Sequence, residues 1–519
     1  MSHSRIAIVG AGFAGLGAAI RLRQEGIEDF VVFEKSSDVG GTWWDNSYPG
    51  CQCDVPSHLY SFSFALNPDW SNTYSPQPEI WAYLRRTAES FGVLPHIRLD
   101  TVVTDARWNE GTGTWCLDTS AGEHTADVLI GANGALSEPA TPDIPGLDRF
   151  QGPTFHSARW DQTRSLTGKR VAVVGTGASA IQIVPSIQPD VAQLHVFQRT
   201  PPWVLPHSGR PISGVERRLY GRVPAAQRFV RGLVYWSREL VAYGMTRNPR
   251  MLEPVRRVAI RHLHEQVKDP ALRAKITPGY TPGCKRLLPS NDYYPALGKE
   301  NVEVVTDAIT EVREHSVVTA DGAEREIDVL VLATGFHVTD NPMMEHIRGR
   351  DGHSLFERWR AHGAQAYLGT SVPGYPNFFL LAGPNTGIGH TSLVVMIEAQ
   401  IDYILGALRA MDARGAATVE VRQQPFDAHN DELQAKMRRT VWNTGGCASW
   451  YLDDRGRNTT LWPDFTWKFR QRTRRFDAEH YQFGEPARPA ADPAAEPADP
   501  APEPADPAAV PAEHVRIAQ

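Results

Sequence analysis

RIAIVGAGFAGLGAAIRL, residues 5–22, decides the fold of this chain. Residues 5–9 predict a buried strand, and residues 16–24 have the apolar spacing of a helix that packs on it. The glycines between them, Gly10, Gly12 and Gly15, provide a tight turn, backbone access to a pyrophosphate, and close packing of helix on strand. Residues 30–33 predict a second strand ending at Glu34, whose carboxylate can accept hydrogen bonds from ribose hydroxyls. The segment therefore predicts a βαβ unit that binds a dinucleotide at its helix N-terminus.

The same pattern recurs later in the chain. Residues 170–174 predict a strand, and GTGASA (175–180) follows, with alanine in the third glycine position. Gly10 and Glu34 lie 24 positions apart (34 − 10), as do Gly175 and Arg199 (199 − 175), so Arg199 takes the place of the acid. An arginine can bind a 2′-phosphate through two hydrogen bonds, and Thr200 adds a hydroxyl. The second unit therefore predicts a preference for NADPH over NADH.

The two units predict an α/β protein with two Rossmann-like dinucleotide-binding domains. Two such sites in one chain imply a bound flavin, FAD, that accepts hydride from NADPH. We expect a pair of strands at about 302–305 and 317–318, and further strands at 328–333 and 378–381. The expected division is a FAD-binding domain in two parts (1–140 and 326–484), a linker (141–168), an NADP-binding domain (169–325) with a helical insertion at about 207–282, and a disordered tail (485–519) rich in proline, alanine and acidic residues.

Composition narrows the range of partners and compartments. A net charge of −6 and a pI near 6.3 favour small-molecule partners over nucleic acid. No window offers the roughly 20 apolar residues that a membrane-spanning helix needs. The cysteines, which are few and show no disulfide pattern, indicate a reducing, cytoplasmic environment; they are Cys51, Cys53, Cys116, Cys284 and Cys447. None of them has zinc-ligand spacing, so no metal is expected.

FQGPTFHSARWD, residues 150–161, decides the reaction class. It resembles the fingerprint F-x-G-x-x-x-H-x-x-x-W followed by P or D, which marks the type I Baeyer-Villiger monooxygenases. The fixed positions are met by Phe150, Gly152, His156, Trp160 and Asp161. The resemblance runs from about residue 6 to residue 474. It implies an enzyme that uses NADPH, O2 and a flavin C4a-peroxide to insert one oxygen atom beside a ketone carbonyl, giving an ester or lactone, with sulfoxidation as a side activity.

The resemblance also implies a set of site residues. Cys53-Asp54 resembles the family's active-site aspartate, Lys285-Arg286 its phosphate-binding lysine and catalytic arginine, and residues 448–451 the segment that covers bound nicotinamide. Arg286 and Asp54 are therefore the expected catalytic pair. The residues expected to contact FAD or NADPH are Gly10, Gly12, Phe13, Ala14, Gly15, Glu34, Lys35, Gly41, Thr42, Trp43, Tyr48, Asp54, Tyr60, Gln77, Val103, Gly175, Thr176, Gly177, Ala178, Ser179, Gln182, Arg199, Thr200, Lys285, Ala333, Thr334, Gly335, Asn385 and Trp450.

The chemistry of the reaction supports an arginine at this site. A flavin peroxide attacks a carbonyl only as the anion, so the site must stabilise negative charge on oxygen. A guanidinium stays charged at any working pH and presents several donors in one plane. Asp54 would hold the Arg286 side chain in place. His156, in the linker, is expected to couple cofactor binding to domain rotation rather than to transfer protons.

Three alternatives remain open. A flavin monooxygenase that oxidises nitrogen or sulfur would share both nucleotide sites, although such enzymes usually have Phe or Tyr at the Trp160 position. A flavin disulfide reductase needs a C-x-x-x-x-C pair, whereas Cys51 and Cys53 are separated by one residue. The arginine- and aromatic-rich segment 214–264 fits a helical cap over the active-site entrance better than a membrane-surface or nucleic-acid patch. The sequence specifies neither the ketone nor the choice between monomer and homodimer.

Overall fold

The computed structural model describes residues 2–485. The predicted disorder of residues 485–519 therefore falls, apart from Glu485, outside the described residues. Within them the chain is an α/β protein built on two main sheets, which confirms the predicted fold class.

The first sheet is mixed, with a parallel centre. Strand Ser2–Val9 pairs in parallel with both Phe30–Phe33 and Gly122–Gly131. The side chains of Phe30–Phe33 are all buried, and those of the other two strands are mostly buried after their exposed first two residues, which fits the apolar runs of the sequence. In spatial order its strands are Ile347–Arg348, Val103–Asn109, Thr114–Thr119, Gly122–Gly131, Ser2–Val9, Phe30–Phe33 and Ile97–Arg98, with Phe378–Leu380 pairing Gly122–Gly131 in addition.

The second sheet is fully parallel. Its strands, in spatial order, are Val302–Val305, Gln193–Phe197, Arg170–Val174, Val329–Leu332 and Thr154–His156. The last of these comes from the predicted linker. Three smaller sheets accompany the main ones: Ile309–Val312 with Ser316–Thr319 and Glu324–Glu326, Val204–Leu205 with Leu288–Pro289, and Thr418–Val421 with Tyr481–Gly484.

Two details of the second domain differ from the sequence prediction. Strand Val329–Leu332 pairs with Arg170–Val174, so the second sheet extends past the predicted boundary at 325/326. The strands at 302–305 and 316–319 both form, but they lie in different sheets instead of pairing with each other. Apolar runs predict that a strand exists, whereas its partner depends on contacts with distant segments.

The helices cover the sheets and form the predicted insertion. Within the insertion are Gly214–Arg222, Pro224–Thr246, Glu253–Gln266 and Pro270–Ile276, with the 3-10 turn Pro249–Leu252. The remaining helices are Phe13–Gln24, Thr42–Asp45, Gln77–Ser90, Ala180–Ile187, Tyr293–Leu297, Leu355–His362, Leu393–Arg414, Gln423–Met437, Val441–Thr444 and Thr466–Thr473. Further 3-10 turns are Leu94–His96, Leu147–Arg149, Ser157–Arg159, Pro342–His346 and Ala478–His480.

The return segment closes over the first βαβ unit. Helix Leu393–Arg414 packs against helix Phe13–Gln24. A Cβ atom on Gly17 would lie 3.0 Å from Ile401 Cδ1, so glycine at this position allows the two helices to approach closely. No helix within residues 2–485 combines the length and apolarity required to span a bilayer.

Candidate active site

The first glycine turn has the geometry of a phosphate cradle. Gly10 has φ +105°, and a Cβ atom there would lie 2.7 Å from Ala132 O. A Cβ atom on Gly15 would collide with Gly10 O, so glycine lets the helix lie against the strand end. Gly41, at φ +54°, approaches Gly12 closely, because its Cβ would lie 3.0 Å from Gly12 Cα. Bare backbone from two segments therefore lines the mouth of this turn, as pyrophosphate binding requires.

Glu34 is fixed at the end of the neighbouring strand. Its carboxylate accepts hydrogen bonds from the backbone N–H groups of Ala11, at 2.6 Å, and Ser36, at 2.9 Å. The side chain is buried. An acid held beside the first glycine turn matches the position of a ribose-binding carboxylate.

The second glycine turn repeats the first and is more open. Gly175 has φ +113°, and a Cβ atom there would collide with Ala333 O. Gly177 is exposed, and its Cβ would meet nothing within 4 Å. The helix that follows, Ala180–Ile187, has no side-chain cap on its N-terminal N–H groups. This arrangement leaves space and backbone donors for a second pyrophosphate.

Two cations lie where the first unit has its acid. Arg199 is exposed. Burial lowers the pKa of the Lys285 ammonium, and the positive charge of Arg199 lowers it further. The Lys285 ammonium lies 5.5 Å from the centre of the Tyr280 ring. An acid at this position would repel a 2′-phosphate, whereas two neighbouring cations attract one.

The two domains meet beside Tyr48, one of the residues expected to contact a cofactor. Gln182, on the helix of the second unit, accepts a hydrogen bond from the Tyr48 hydroxyl at 3.0 Å and donates to Gln52 O at 3.1 Å. Beside it, a Cβ atom on Gly50 would collide with Ser186 Oγ. A cleft of about 420 Å³ opens here between residues 47–52 and 76–78 of the first domain and residues 181–186 and 289–292 of the second.

Arg286 and Asp54 form an ion pair across the same junction. The guanidinium donates from Nε to Asp54 Oδ2 and from Nη2 to Asp54 Oδ1, the latter at 2.6 Å. Burial raises the pKa of the Asp54 carboxyl, but Arg286 outweighs burial and holds that pKa below its ordinary value. Burial lowers the pKa of Arg286, and Asp54 in turn outweighs it, so the guanidinium pKa is raised. The pair is therefore ionised throughout the working pH range.

Neutral groups surround this ion pair. Burial raises the pKa of the Tyr451 hydroxyl to about 12, and also raises the pKa values of Tyr60 and Cys53. Tyr60 accepts a hydrogen bond from Trp43 Nε1 at 3.1 Å and packs edge-on against Phe13, so it connects this region to the first glycine turn.

Comparisons with known proteins identify the family. A family model described as flavin-binding monooxygenase-like matches residues 3–217. A Baeyer-Villiger monooxygenase of Streptomyces coelicolor is 53% identical over 486 residues, which cover 93% of this chain and 93% of that protein. Another, of Pseudomonas aeruginosa, is 50% identical over 481 residues, covering 92% of this chain and 91% of that protein. This chain belongs to the Baeyer-Villiger monooxygenases. The solved structure of OTEMO complexed with FAD and NADP is 29% identical, has a TM-score of 0.82, and is matched over 93% of this chain and 99% of that chain.

The fingerprint of this Baeyer-Villiger monooxygenase lies beside the second sheet. His156 ends a strand of that sheet, and burial lowers its pKa. His156 Nδ1 accepts from Ala158 N at 3.1 Å, while the buried Nε2 has no partner among residues 2–485. A Cβ atom on Gly152 would collide with Asp328 O. Trp160 packs edge-on against Phe155 and is buried.

The structure does not bring every predicted residue to the junction. Asp161 is half-buried and accepts hydrogen bonds within its own turn, from Thr163 N at 2.9 Å and Thr163 Oγ1 at 2.6 Å. Lys35 pairs with Glu138 at 2.5 Å. Asn385 donates to backbone oxygens of the C-terminal segment, Asn458 O at 2.9 Å and Leu461 O at 3.0 Å.

A disulfide that the sequence did not predict joins Cys284 to Cys447, 163 positions apart. It links the residue before Lys285 to the segment that carries Trp450 and Tyr451. The expectation of unpaired cysteines was wrong for this pair, because two isolated cysteines so far apart in sequence give no spacing signal. Cys51, Cys53 and Cys116 are free, so the nearest pair in sequence forms no redox bridge.

Sequence reasoning also missed two neighbours of the ion pair. They are Tyr451, within the segment 448–451, and Arg238, in the helical insertion, and the sequence assigns a role to neither. The Arg238 charge is one of those acting on Asp54, and its Nη2 donates to the Tyr74 hydroxyl at 2.8 Å. Tyr451 lies in the segment 448–451 that the resemblance singled out, but its place beside Arg286 depends on tertiary structure, and Arg238 belongs to no motif.

Proposed function

We propose that this Baeyer-Villiger monooxygenase binds FAD and uses NADPH and O2 to insert one oxygen atom beside the carbonyl of a small-molecule ketone, forming an ester or lactone. The observation that carries the proposal is the Arg286–Asp54 ion pair, which lies between the two nucleotide-binding domains. Membership of the family and the FAD and NADP bound in the related OTEMO structure support the cofactor assignment.

The residues of each glycine turn fit their nucleotide. Gly10, Gly12 and Glu34 would hold the pyrophosphate and ribose of FAD. Gly177 and the cations Arg199 and Lys285 would hold the pyrophosphate and 2′-phosphate of NADPH. Bound FAD, once reduced by NADPH, supplies the activation of O2. We propose that the other residues predicted from the sequence to contact FAD or NADPH do so.

Arg286 would stabilise the negative charge that develops on oxygen as the ketone is attacked. The raised pKa of its guanidinium keeps the positive charge in place. Asp54 would fix the plane of the guanidinium by two hydrogen bonds, and the Nη1 nitrogen takes no part in those bonds. The Tyr451 hydroxyl, whose pKa burial raises to about 12, would stay a neutral hydrogen-bond donor beside the pair.

We further propose the domain division given above, with the second domain extended to include strand Val329–Leu332. A cytoplasmic location is proposed from the low cysteine content. In a reducing compartment, Cys284 and Cys447 would be thiols unless an oxidant maintains the bond. Mass spectrometry after alkylation of freshly lysed cells would distinguish the two states.

Product analysis tests the proposed reaction. The purified protein, with NADPH and ¹⁸O2, receives one ketone and one thioether in separate incubations. Ester or lactone carrying a single ¹⁸O atom supports the proposal. Sulfoxide without any ester would favour the sulfur- and nitrogen-oxidising class, and NADPH oxidation that yields only hydrogen peroxide would contradict both.

A further inference from the structure

The helical insertion exposes an unusual amount of apolar surface. Ten of the sixteen large apolar side chains that are exposed within residues 2–485 lie between positions 215 and 258. Five of them follow one face of helix Pro224–Thr246 with spacings of four, three, four and three residues: Phe229, Leu233, Trp236, Leu240 and Tyr243. This apolar stripe spans about 20 Å along the helix axis. Phe229 is 67% exposed and Leu240 is 78% exposed, so the chain itself does not cover the stripe.

The opposite face of the same helix is anchored in the protein. Arg231 Nη1 donates to His58 O at 2.8 Å, and the Tyr235 hydroxyl lies 3.0 Å from Thr466 Oγ1. Glu239 accepts hydrogen bonds from both the backbone N–H and the hydroxyl of Thr466. The helix is therefore held in place by its inner face, and the apolar stripe is not needed for folding.

The segment that carries the stripe is strongly basic. Segment 214–261 contains eleven arginines and three glutamates, a net charge of +8, although the whole chain has a net charge of −6. On helix Gly214–Arg222, the exposed Arg218 and Arg222 share a face with the exposed Val215 and Leu219. Of the exposed arginines in this segment, those that reach an acid within the described residues are Arg247, Arg256 and Arg257. Most of the positive charge is thus available to a partner.

We propose that the surface formed by the apolar stripe and these arginines docks on an anionic lipid bilayer. An apolar helix face flanked by arginines lies at the headgroup boundary, with its apolar side chains inserted and its cations on anionic headgroups. The chain is held at the surface by this helix and does not cross the bilayer. Arg238 lies on the inner face of this helix, so docking would place the ketone-oxidising site on the side of the helix that faces away from the lipid. This last point rests on the proposed function, whereas docking itself does not.

Two other occupants fit the surface less well. A second copy bound through the same face in a two-fold dimer would bring two segments of +8 together. The segment 486–519 has six acidic residues and two arginines, but its large apolar residues are only Val510, Val515 and Ile517. That segment could match the arginines, yet it has too few apolar side chains to cover the stripe.

Vesicle flotation tests the proposal. The full-length holoenzyme is mixed with vesicles of phosphatidylcholine alone, or of an equal mixture with phosphatidylglycerol, at low and high salt. We expect binding to the mixed vesicles that weakens with salt. A variant carrying Trp236→Glu and Leu240→Glu should bind at least about 30-fold more weakly. Arg218→Gln combined with Arg222→Gln should weaken binding about tenfold or more. A matched control, Leu99→Glu with Val102→Glu, places the same charges on exposed apolar positions elsewhere and should bind like the wild type.

Flavin content and turnover of a water-soluble ketone without vesicles show whether each variant is folded, and they report on the proposed reaction independently of docking. Wild-type protein that binds neither kind of vesicle would overturn the proposal. The proposal is also overturned if the wild type does not bind vesicles but sediments as a dimer, and the Trp236→Glu, Leu240→Glu variant sediments as a monomer. If only a chain ending at Glu485 binds vesicles, the segment 486–519 covers the surface in the full-length protein, and the proposal that the full-length protein docks on the bilayer is overturned.

Discussion

The Arg286 guanidinium donates to both carboxylate oxygens of Asp54, and the two residues come from different nucleotide-binding domains. Arg286 lies just before strand Leu288–Pro289 of the second domain, whereas Asp54 lies in the loop between helices Thr42–Asp45 and Gln77–Ser90 of the first. This ion pair therefore couples the relative position of the domains to the orientation of the positive charge.

Replacing Arg286 should separate hydride transfer from oxygen insertion. Arg286→Ala removes the charge that stabilises the developing oxyanion, so ester formation should fall about 10²- to 10³-fold. Anaerobic reduction of the flavin by NADPH, followed by its absorbance, should remain within severalfold of the wild type. Arg286→Lys keeps the charge without the two-point contact, and we expect partial recovery. Ester formation at the wild-type rate by Arg286→Ala would remove Arg286 from the proposed mechanism.

The Asp54 carboxylate should contribute stability that depends on pH. Its folded pKa is lower than its unfolded value, so this contribution is fully present above about pH 4 and is lost as pH falls through the folded pKa. Because the pair is only partly buried, Asp54→Asn should lower the free energy of unfolding by about 2 kcal/mol at neutral pH, and the difference from the wild type should shrink in acid. Urea titrations at several pH values measure it. As a control, Asp402→Asn breaks an exposed pair with Arg21 and should cost less than about 0.5 kcal/mol. A difference between Asp54→Asn and wild type that is constant with pH would contradict the ion-pair account.

Two glycines of the second turn should respond differently to substitution. Gly175→Ala places a Cβ against Ala333 O at φ +113°, so thermal unfolding should occur at a lower temperature. The Cβ atom that Gly177→Val adds meets no protein atom within 4 Å, so the melting temperature should change little. The substitution should nevertheless raise the KM for NADPH about tenfold or more, because the side chain blocks approach of the pyrophosphate. Unchanged KM in a folded Gly177→Val protein would argue against a nucleotide at this turn.

Arg199 should determine the choice between the two nicotinamide cofactors. Arg199→Ala should lower kcat/KM for NADPH about 10- to 100-fold, since a charge-assisted hydrogen bond to the 2′-phosphate is lost. The value for NADH should hardly change. Arg313→Ala, which removes another partly exposed arginine from the same domain, is the control. Equal losses with both cofactors would indicate a structural role for Arg199.

Breaking the disulfide should loosen the segment that carries Trp450. Cys284–Cys447 connects this segment to the residue next to Lys285. Cys447→Ser, or reduction to two thiols by dithiothreitol, should raise the KM for NADPH and lower the yield of ester per NADPH consumed, both severalfold, while FAD is retained. Cys116→Ser, at a free cysteine, should leave both quantities unchanged. An equal yield of ester per NADPH in the oxidised and reduced enzyme would show that the disulfide is not needed to hold this segment in place.

Local patterns in the sequence predicted the elements that nucleotide binding requires. The strand, glycine turn and helix at 2–24, and again at 170–187, follow from apolar spacing and from glycines at positions where Cβ atoms would collide. Such patterns are short-range, so their residues specify them without reference to the rest of the chain. The family resemblance drew attention to Asp54 and Arg286, and the structure places the two side chains in contact.

The sequence by itself determined the two βαβ units, the exchange of Glu34 for Arg199 between them, and the helical character of the insertion. Tertiary structure alone decided that strand Val329–Leu332 joins the second sheet, that Cys284 meets Cys447, and that the stripe from Phe229 to Tyr243 faces outward. The physical reason is that a residue's neighbours in sequence set its backbone conformation, whereas pairing and exposure depend on which distant surfaces fold against it. An amphipathic helix reads the same in sequence whether its apolar face is buried or open to solvent.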